Sequence, residues 1–185
     1  MNYNLDKVSV FWVTGTAKMS KAIMHFEKSA ISHVGLEFTF PNVTILTESL
    51  KDGVVTTPRE HIDRAMAAGK ISRYHTVELK ALPPQRSDMY RKATDLHGKG
   101  YDWGQLLIYL AWVKLWKRKD SDFLKKLSKK SGKLTCNELV VKVCHGLTSE
   151  FADANWEWTP EGIFKHLHNG IGSREYFASP TDTVT

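Results

Sequence analysis

Cys136 stands in the run Thr135-Cys136-Asn137-Glu138, whose spacing is that of a capping box. Thr135 can accept from the Glu138 N–H while the Glu138 carboxylate reaches back to the Thr135 N–H. A helix therefore starts at Cys136, with Leu139, Val140, Val143 and Leu147 on one apolar face. A thiol at the first helical position meets unpaired N–H groups and the positive end of the helix dipole. Such surroundings lower cysteine pKa values from about 8.5 toward 3.5–7.5 and make a nucleophile. One cysteine decides little, because free cysteines are also among the most buried residue types. A nucleophile needs a base within hydrogen-bond reach, and the base needs a third group to hold it. His33 is the candidate base, with Gly35 next on its strand face leaving room for a ligand. Glu48 faces His33 directly if the intervening turn is centred between Phe40 and Pro41, and diagonally if the register slips. Glu37 shares the His33 face, but four strand residues put it about 13 Å away. Taken singly, His33 reads as a core-edge histidine and Glu48 as a solvated strand carboxylate; the combination with a helix-capped cysteine points to nucleophilic chemistry.

The elements that must hold these groups are legible from periodicity. Residues 8–13 form a β-branched and aromatic strand, and residues 17–27 follow as a helix with Met19, Ile23 and Phe26 on one stripe. Residues 33–38 alternate strictly, Pro41-Asn42 breaks the run and residues 43–50 resume it, the pattern of a β-hairpin. A short helix is expected near 58–68, a strand at 71–79 and a helix at 87–97, with Pro83-Pro84 stopping the strand. Gly98 and Gly100 precede Tyr101-Asp102-Trp103 and a strongly apolar helix over 103–116. Thr159-Pro160-Glu161 signals a further helix start, with Pro at the first helical position.

The chain has 185 residues, 42% of them hydrophobic and 25% charged, with six Trp and eight Phe. That composition fits one ordinary globular domain over residues 1–185, α+β by the mixture of strands and helices read above, and excludes a disordered or fibrous chain. No stretch reaches the ~18 apolar residues of a membrane span, and the start lacks a signal-peptide pattern; a cytoplasmic location is expected. Cys136 and Cys144, eight residues apart on one helix, would be about 12 Å apart, too far for a disulfide. The net charge is +6, yet residues 114–133 hold nine basic and two acidic residues, a local +7, and the remainder is near neutral. This suggests a basic insertion with an anionic partner, such as a membrane surface, rather than a nucleic-acid-binding protein. His166-x-His168 turns its side chains about 200° apart on a helix, so no metal site is expected, and no phosphate-binding glycine loop or Gly-x-Ser-x-Gly elbow is present.

Phe11-Trp12, Ser32-His33-Val34-Gly35, Thr47-Glu48-Ser49, Gly53-Val54, Tyr101-Asp102-Trp103, Thr135-Cys136-Asn137-Glu138-Leu139-Val140 and Thr159-Pro160-Glu161 resemble, in that order, the circularly permuted papain-like amidases. These belong to the broad cell-wall hydrolase and lecithin retinol acyltransferase group. The similarity runs from Val8 to about Leu167, and its specific part is the pairing of Ser-His-Val-Gly with Cys-x-Glu-Leu-Val. Asn137 departs from it, since relatives commonly have Ser there. The resemblance implies a permuted papain-like fold, an antiparallel sheet or small barrel with the nucleophile at a helix N-terminus. It further implies a cofactor-independent hydrolase or acyltransferase with a Cys136–His33–Glu48 triad. Substrate contacts are expected at Tyr101, Trp103, Gly35 and Asn137, on a small-molecule, peptide or lipid amide, ester or thioester. The competing expectation is an idle binding module whose basic segment holds an anionic membrane or nucleic acid.

Overall fold

The computed structural model describes residues 3–102, 104, 133–152 and 159–178. Five strands, β1 (Lys7–Gly15), β2 (His33–Phe40), β3 (Val43–Leu50), β4 (Gly53–Pro58) and β5 (Ile71–Glu78), form an open antiparallel sheet in the order β4-β3-β2-β1-β5. The described helices are α1 (Lys18–Glu27), α2 (Glu60–Ala67), α3 (Pro83–Asp95), α4 (Cys136–Cys144), α5 (Pro160–Leu167) and α6 (Ser173–Ala178), with a 3-10 turn at Ser149–Phe151. The protein is α+β. Among the described residues no helix is long and apolar enough to cross a membrane.

Strand β1 is buried at nearly every position because it lies in the sheet interior and is covered on both faces. Val8, Val10 and Trp12 pack with Val34, Leu36 and Phe38 of β2 in the larger core, which α3, α4 and α5 close with Met89, Leu139, Val143, Ile163 and Phe164. On the other face Phe11 and Val13 join Leu46 and the α2 residue Ile62 in a smaller core. Each large side chain so removed from water contributes about 1.5–3 kcal/mol, and the strict alternation on β2 fixes which face meets which helix.

Several boundaries differ from the sequence expectation. The β2–β3 hairpin pairs Phe40 with Val43 and Leu36 with Thr47, so its turn is centred between Pro41 and Asn42, not between Phe40 and Pro41. The pair Pro41-Asn42 is itself a two-residue loop, with the last rung closed immediately on either side. Continued along the strands, this register sets Glu48 beside Gly35 and diagonal to His33, on the same face. Strand β4 was not expected. It is the sheet edge, where the terminal Pro58 interrupts no ladder on its outer side, and Gly53 at φ +114° brings the backbone so close that a Cβ there would lie 2.5 Å from the Lys99 carbonyl oxygen. Helix α3 begins at Pro83 rather than at Ser87, since two prolines at the first helical turn cost no helical hydrogen bond. Apart from Gly104 and Lys133, the helix expected over 103–116 and the basic segment over 114–133 lie outside the described residues.

Candidate active site

Three elements converge on His33, the first residue of β2. Glu48 on β3 is buried, and its Oε2 lies 3.0 Å from His33 Nε2. The other carboxylate oxygen has no hydrogen-bond partner among the described residues, so the charge of Glu48 is directed at the imidazole. The thiol of Cys136, at the N-terminus of α4, is a further side-chain hydrogen-bond partner of His33. Glu48 engages Nε2, which leaves Nδ1 as the other proton-exchanging nitrogen of the ring. Burial of His33 works against the charged imidazolium. The hydrogen bonds and negative charge of Cys136 and Glu48 outweigh it and raise the pKa from 6.5 to about 10. The shift favours the imidazolium form of His33.

The start of α4 is fixed by local chemistry. The Glu138 carboxylate accepts from the Thr135 N–H at 2.9 Å and from the Thr135 hydroxyl at 2.9 Å. Thus the Glu138 half of the capping box forms, and the Thr135 hydroxyl spends its proton on the same oxygen. A longer-range tie sets the helix against the sheet: Ser49 Oγ, next to Glu48, donates to the Leu134 carbonyl at 2.7 Å. Leu134 also donates its N–H to the Gly100 carbonyl and forms a parallel bridge with Tyr101. Leu134, two residues before Cys136, is therefore anchored to β3 and to the segment carrying Tyr101.

Cys144, at the far end of α4, is fully buried, and that burial pushes its thiol pKa up. Both cysteines are free. Tyr101 is half-buried; burial first, then the negative charges of Cys136, Glu138, Glu27 and Asp102, raise its pKa and keep its phenol protonated. Asn137 is half-buried in the first turn of α4, and Trp103 lies outside the described residues.

Gly35 is placed differently from the expectation of an open ligand space. A Cβ at this position would lie 2.5 Å from Phe11 Cζ and 3.1 Å from the Thr47 carbonyl oxygen. The ring of Phe11, paired with Gly35 across β1 and β2, fills the space, so glycine here serves core packing. Glu37 is also occupied elsewhere: it accepts from the Tyr74 hydroxyl at 2.7 Å and pairs with Arg59, whose guanidinium lies over the Tyr74 ring. His166 bonds the Glu150 carbonyl, while His168 meets His75 at 3.1 Å, and among the described residues no group of three or more His, Cys, Asp or Glu could hold a metal ion.

A cleft of about 270 Å³ opens beside His33, Glu48 and Tyr101. Its other walls are Met19 and Ile23 of α1, Leu50 of β3, Ile62 of α2 and Ile71 of β5, with Lys51, Lys70 and His61 also bordering it. No family model matches the chain, and a search of the curated proteins finds no match to it. The arrangement can thus be read only from its own chemistry: a thiol at a helix start, an imidazole whose charged form is favoured, a carboxylate holding that imidazole, and an apolar-walled cleft alongside.

Proposed function

We propose that the protein is a cysteine hydrolase or acyltransferase of the permuted papain-like type, acting on an amide, ester or thioester through an acyl-Cys136 intermediate. The observation that supports this reading is the position of His33 between the Glu48 carboxylate and the Cys136 thiol, with that thiol at the N-terminus of α4. Cys136 Sγ attacks the substrate carbonyl carbon, and the C–S bond forms as the carbonyl electrons move to oxygen. The Cys136 backbone N–H, unpaired at the helix start, donates to that oxyanion, and the protonated Tyr101 hydroxyl is a second donor bordering the cleft. As the tetrahedral intermediate collapses, the His33 imidazolium gives its proton to the leaving amine, alkoxide or thiolate. The neutral imidazole then takes a proton from water, or from an acceptor hydroxyl, which attacks the acyl-thioester and releases Cys136. Glu48 holds one ring nitrogen throughout and stabilises the charged state.

Met19, Ile23, Leu50, Ile62 and Ile71 around the cleft suit an apolar group on the substrate. The basic segment over 114–133 supplies, in this reading, attraction to an anionic or lipid surface. The test is to incubate the protein with an activated ester and follow intact mass. An added acyl group mapped to Cys136, absent from Cys136→Ala and not formed by His33→Ala, is the expected result. Acylation that spreads over surface lysines and is unchanged in Cys136→Ala would overturn the proposal and favour a binding module.

A further inference from the structure

Glu161 belongs to the Thr159-Pro160-Glu161 helix start, and its carboxylate reaches Ser29 in the loop that leads into β2. Thr159 caps α5 by accepting from the Gly162 N–H at 3.0 Å, which leaves Glu161 free for other work. Its Oε2 accepts from the Ser29 hydroxyl at 2.6 Å and from the Ser173 hydroxyl, and its Oε1 accepts from the Ser173 N–H at 3.0 Å. An ionised carboxylate only accepts, and each serine hydroxyl has one proton to give. The two hydroxyl oxygens also lie 3.1 Å apart; with both protons directed at Glu161, their lone pairs are turned toward the loop. There Ser29 Oγ accepts from the Ile31 N–H at 2.9 Å, and Ser173 Oγ accepts from the Ala30 N–H at 2.9 Å. Ser29, Ile31 and Ser173 are buried, so bulk water does not readily replace these bonds.

The rest of the loop is held from β1. The Ala30 carbonyl accepts from the Thr14 hydroxyl at 2.6 Å, the Ser32 N–H donates to the Val13 carbonyl at 3.0 Å, and Ser32 Oγ accepts from the Gly15 N–H at 2.8 Å. Every residue from Ser29 to Ser32 is fixed immediately before His33. Helix α5 also packs against α4, which carries Cys136. One carboxylate therefore references the strand bearing the base to the helix bearing the nucleophile. We infer that Glu161 is a positioning residue for His33, acting through the hydroxyls of Ser29 and Ser173. This rests on the proposed roles of His33 and Cys136. Misplacement of a catalytic group by about 1 Å costs on the order of 100-fold in rate, so a loop held by such bonds is consequential.

Glu161→Gln tests it: with the carboxamide oxygen in place of Oε2 the nitrogen opposes the Ser173 N–H, and with the nitrogen there both serine hydroxyls must turn their protons away, so either orientation breaks part of the network. Cys136 alkylation by iodoacetamide at neutral pH and the His33 ring resonance in a pH titration are followed together with thermal melting. The expected result is alkylation about tenfold slower than in the unaltered protein and a displaced His33 titration, in a protein still folded at the assay temperature. Glu48→Gln is run alongside. If Glu161→Gln alkylates within twofold of the unaltered protein and leaves the His33 titration in place while Glu48→Gln changes both, Glu161 is only a packing residue and the inference falls, with the catalytic reading intact. If Glu48→Gln also changes neither, the reading of His33 fails and the inference goes with it. Should Glu161→Gln not fold, Ser173→Ala, which removes one of the two hydroxyls, is judged by the same two outcomes.

Discussion

Replacing Glu48 by Gln keeps a hydrogen-bond acceptor for His33 Nε2 and removes the charge 3.0 Å away. An opposite charge at this range raises a histidine pKa by about 1–3 units. From the value of about 10, His33 in Glu48→Gln should therefore titrate between roughly 7 and 9; the part of the rise due to Cys136 survives. Each unit corresponds to about 1.4 kcal/mol. The folded pKa lies above the ordinary 6.5, so the contribution to folding is fully present below pH 6.5 and is lost as the pH rises through about 10. In that window the unaltered protein should lose stability by at most about 1.4 kcal/mol per pH unit from this group, and Glu48→Gln should lose it over a shorter span that ends earlier. The assay is a pH titration of the His33 ring resonances by NMR, with urea unfolding at pH 6, 8 and 10. A His33 pKa near 6.5 in the unaltered protein, or one that moves by less than half a unit in Glu48→Gln, would refute the electrostatic account of the site.

Three other outcomes are expected. Limited iodoacetamide should modify Cys136 well before Cys144, because Cys136 adjoins a charged imidazole at a helix start while Cys144 is fully buried with its pKa pushed up. Peptide mapping of the native protein decides it, and equal rates would count against Cys136 as nucleophile. Gly35→Ala should destabilise the fold by about 1–3 kcal/mol through overpacking against Phe11, measured by urea unfolding, and Phe11→Leu in the same chain should recover part of the loss. Liposome co-sedimentation should show salt-sensitive binding to vesicles containing anionic lipid, reduced when the lysines over 114–133 are changed to Gln, since basic segments interleaved with apolar residues combine charge attraction with insertion; equal, negligible binding to neutral and anionic vesicles would remove the membrane role.

Local rules carried the sequence reading where the chemistry is local. The alternation on β2, the breakers at Pro41-Asn42 and the Thr135–Glu138 spacing each depend on residues within a few positions of one another, and the corresponding strands and helix are present. Strand β4 escaped because Lys51-Asp52-Gly53 reads as turn and Pro58 argues against a strand, and the objection disappears only at a sheet edge. Placement of β1 between β2 and β5, and the Glu161 contacts with Ser29 across 132 positions, are tertiary facts that no short-range pattern encodes. The hairpin register shows why the Glu48 assignment is less sensitive than its derivation. The observed register moves Glu48 along β3 by two positions relative to direct opposition. Because strand side chains alternate with period two, that shift keeps Glu48 on the His33 face, and a glutamate is long enough to reach diagonally.

Gly35 marks where the same logic misleads. A missing Cβ on the His33 face looks from sequence like space offered to a ligand, but a strand has two neighbours and the sequence does not say which will lean into the gap. Phe11 lies directly across β1 and also stacks on Tyr74. It covers Gly35 and closes the smaller core beneath the site. The consequence is chemical as well as structural: solvent and substrate are excluded from the sheet surface beyond His33, and the open cleft is bordered by α1, Leu50 and Ile71. A substrate that occupied it would approach from α1 and the ends of the strands, past Met19 and Ile23, rather than across the sheet over Gly35.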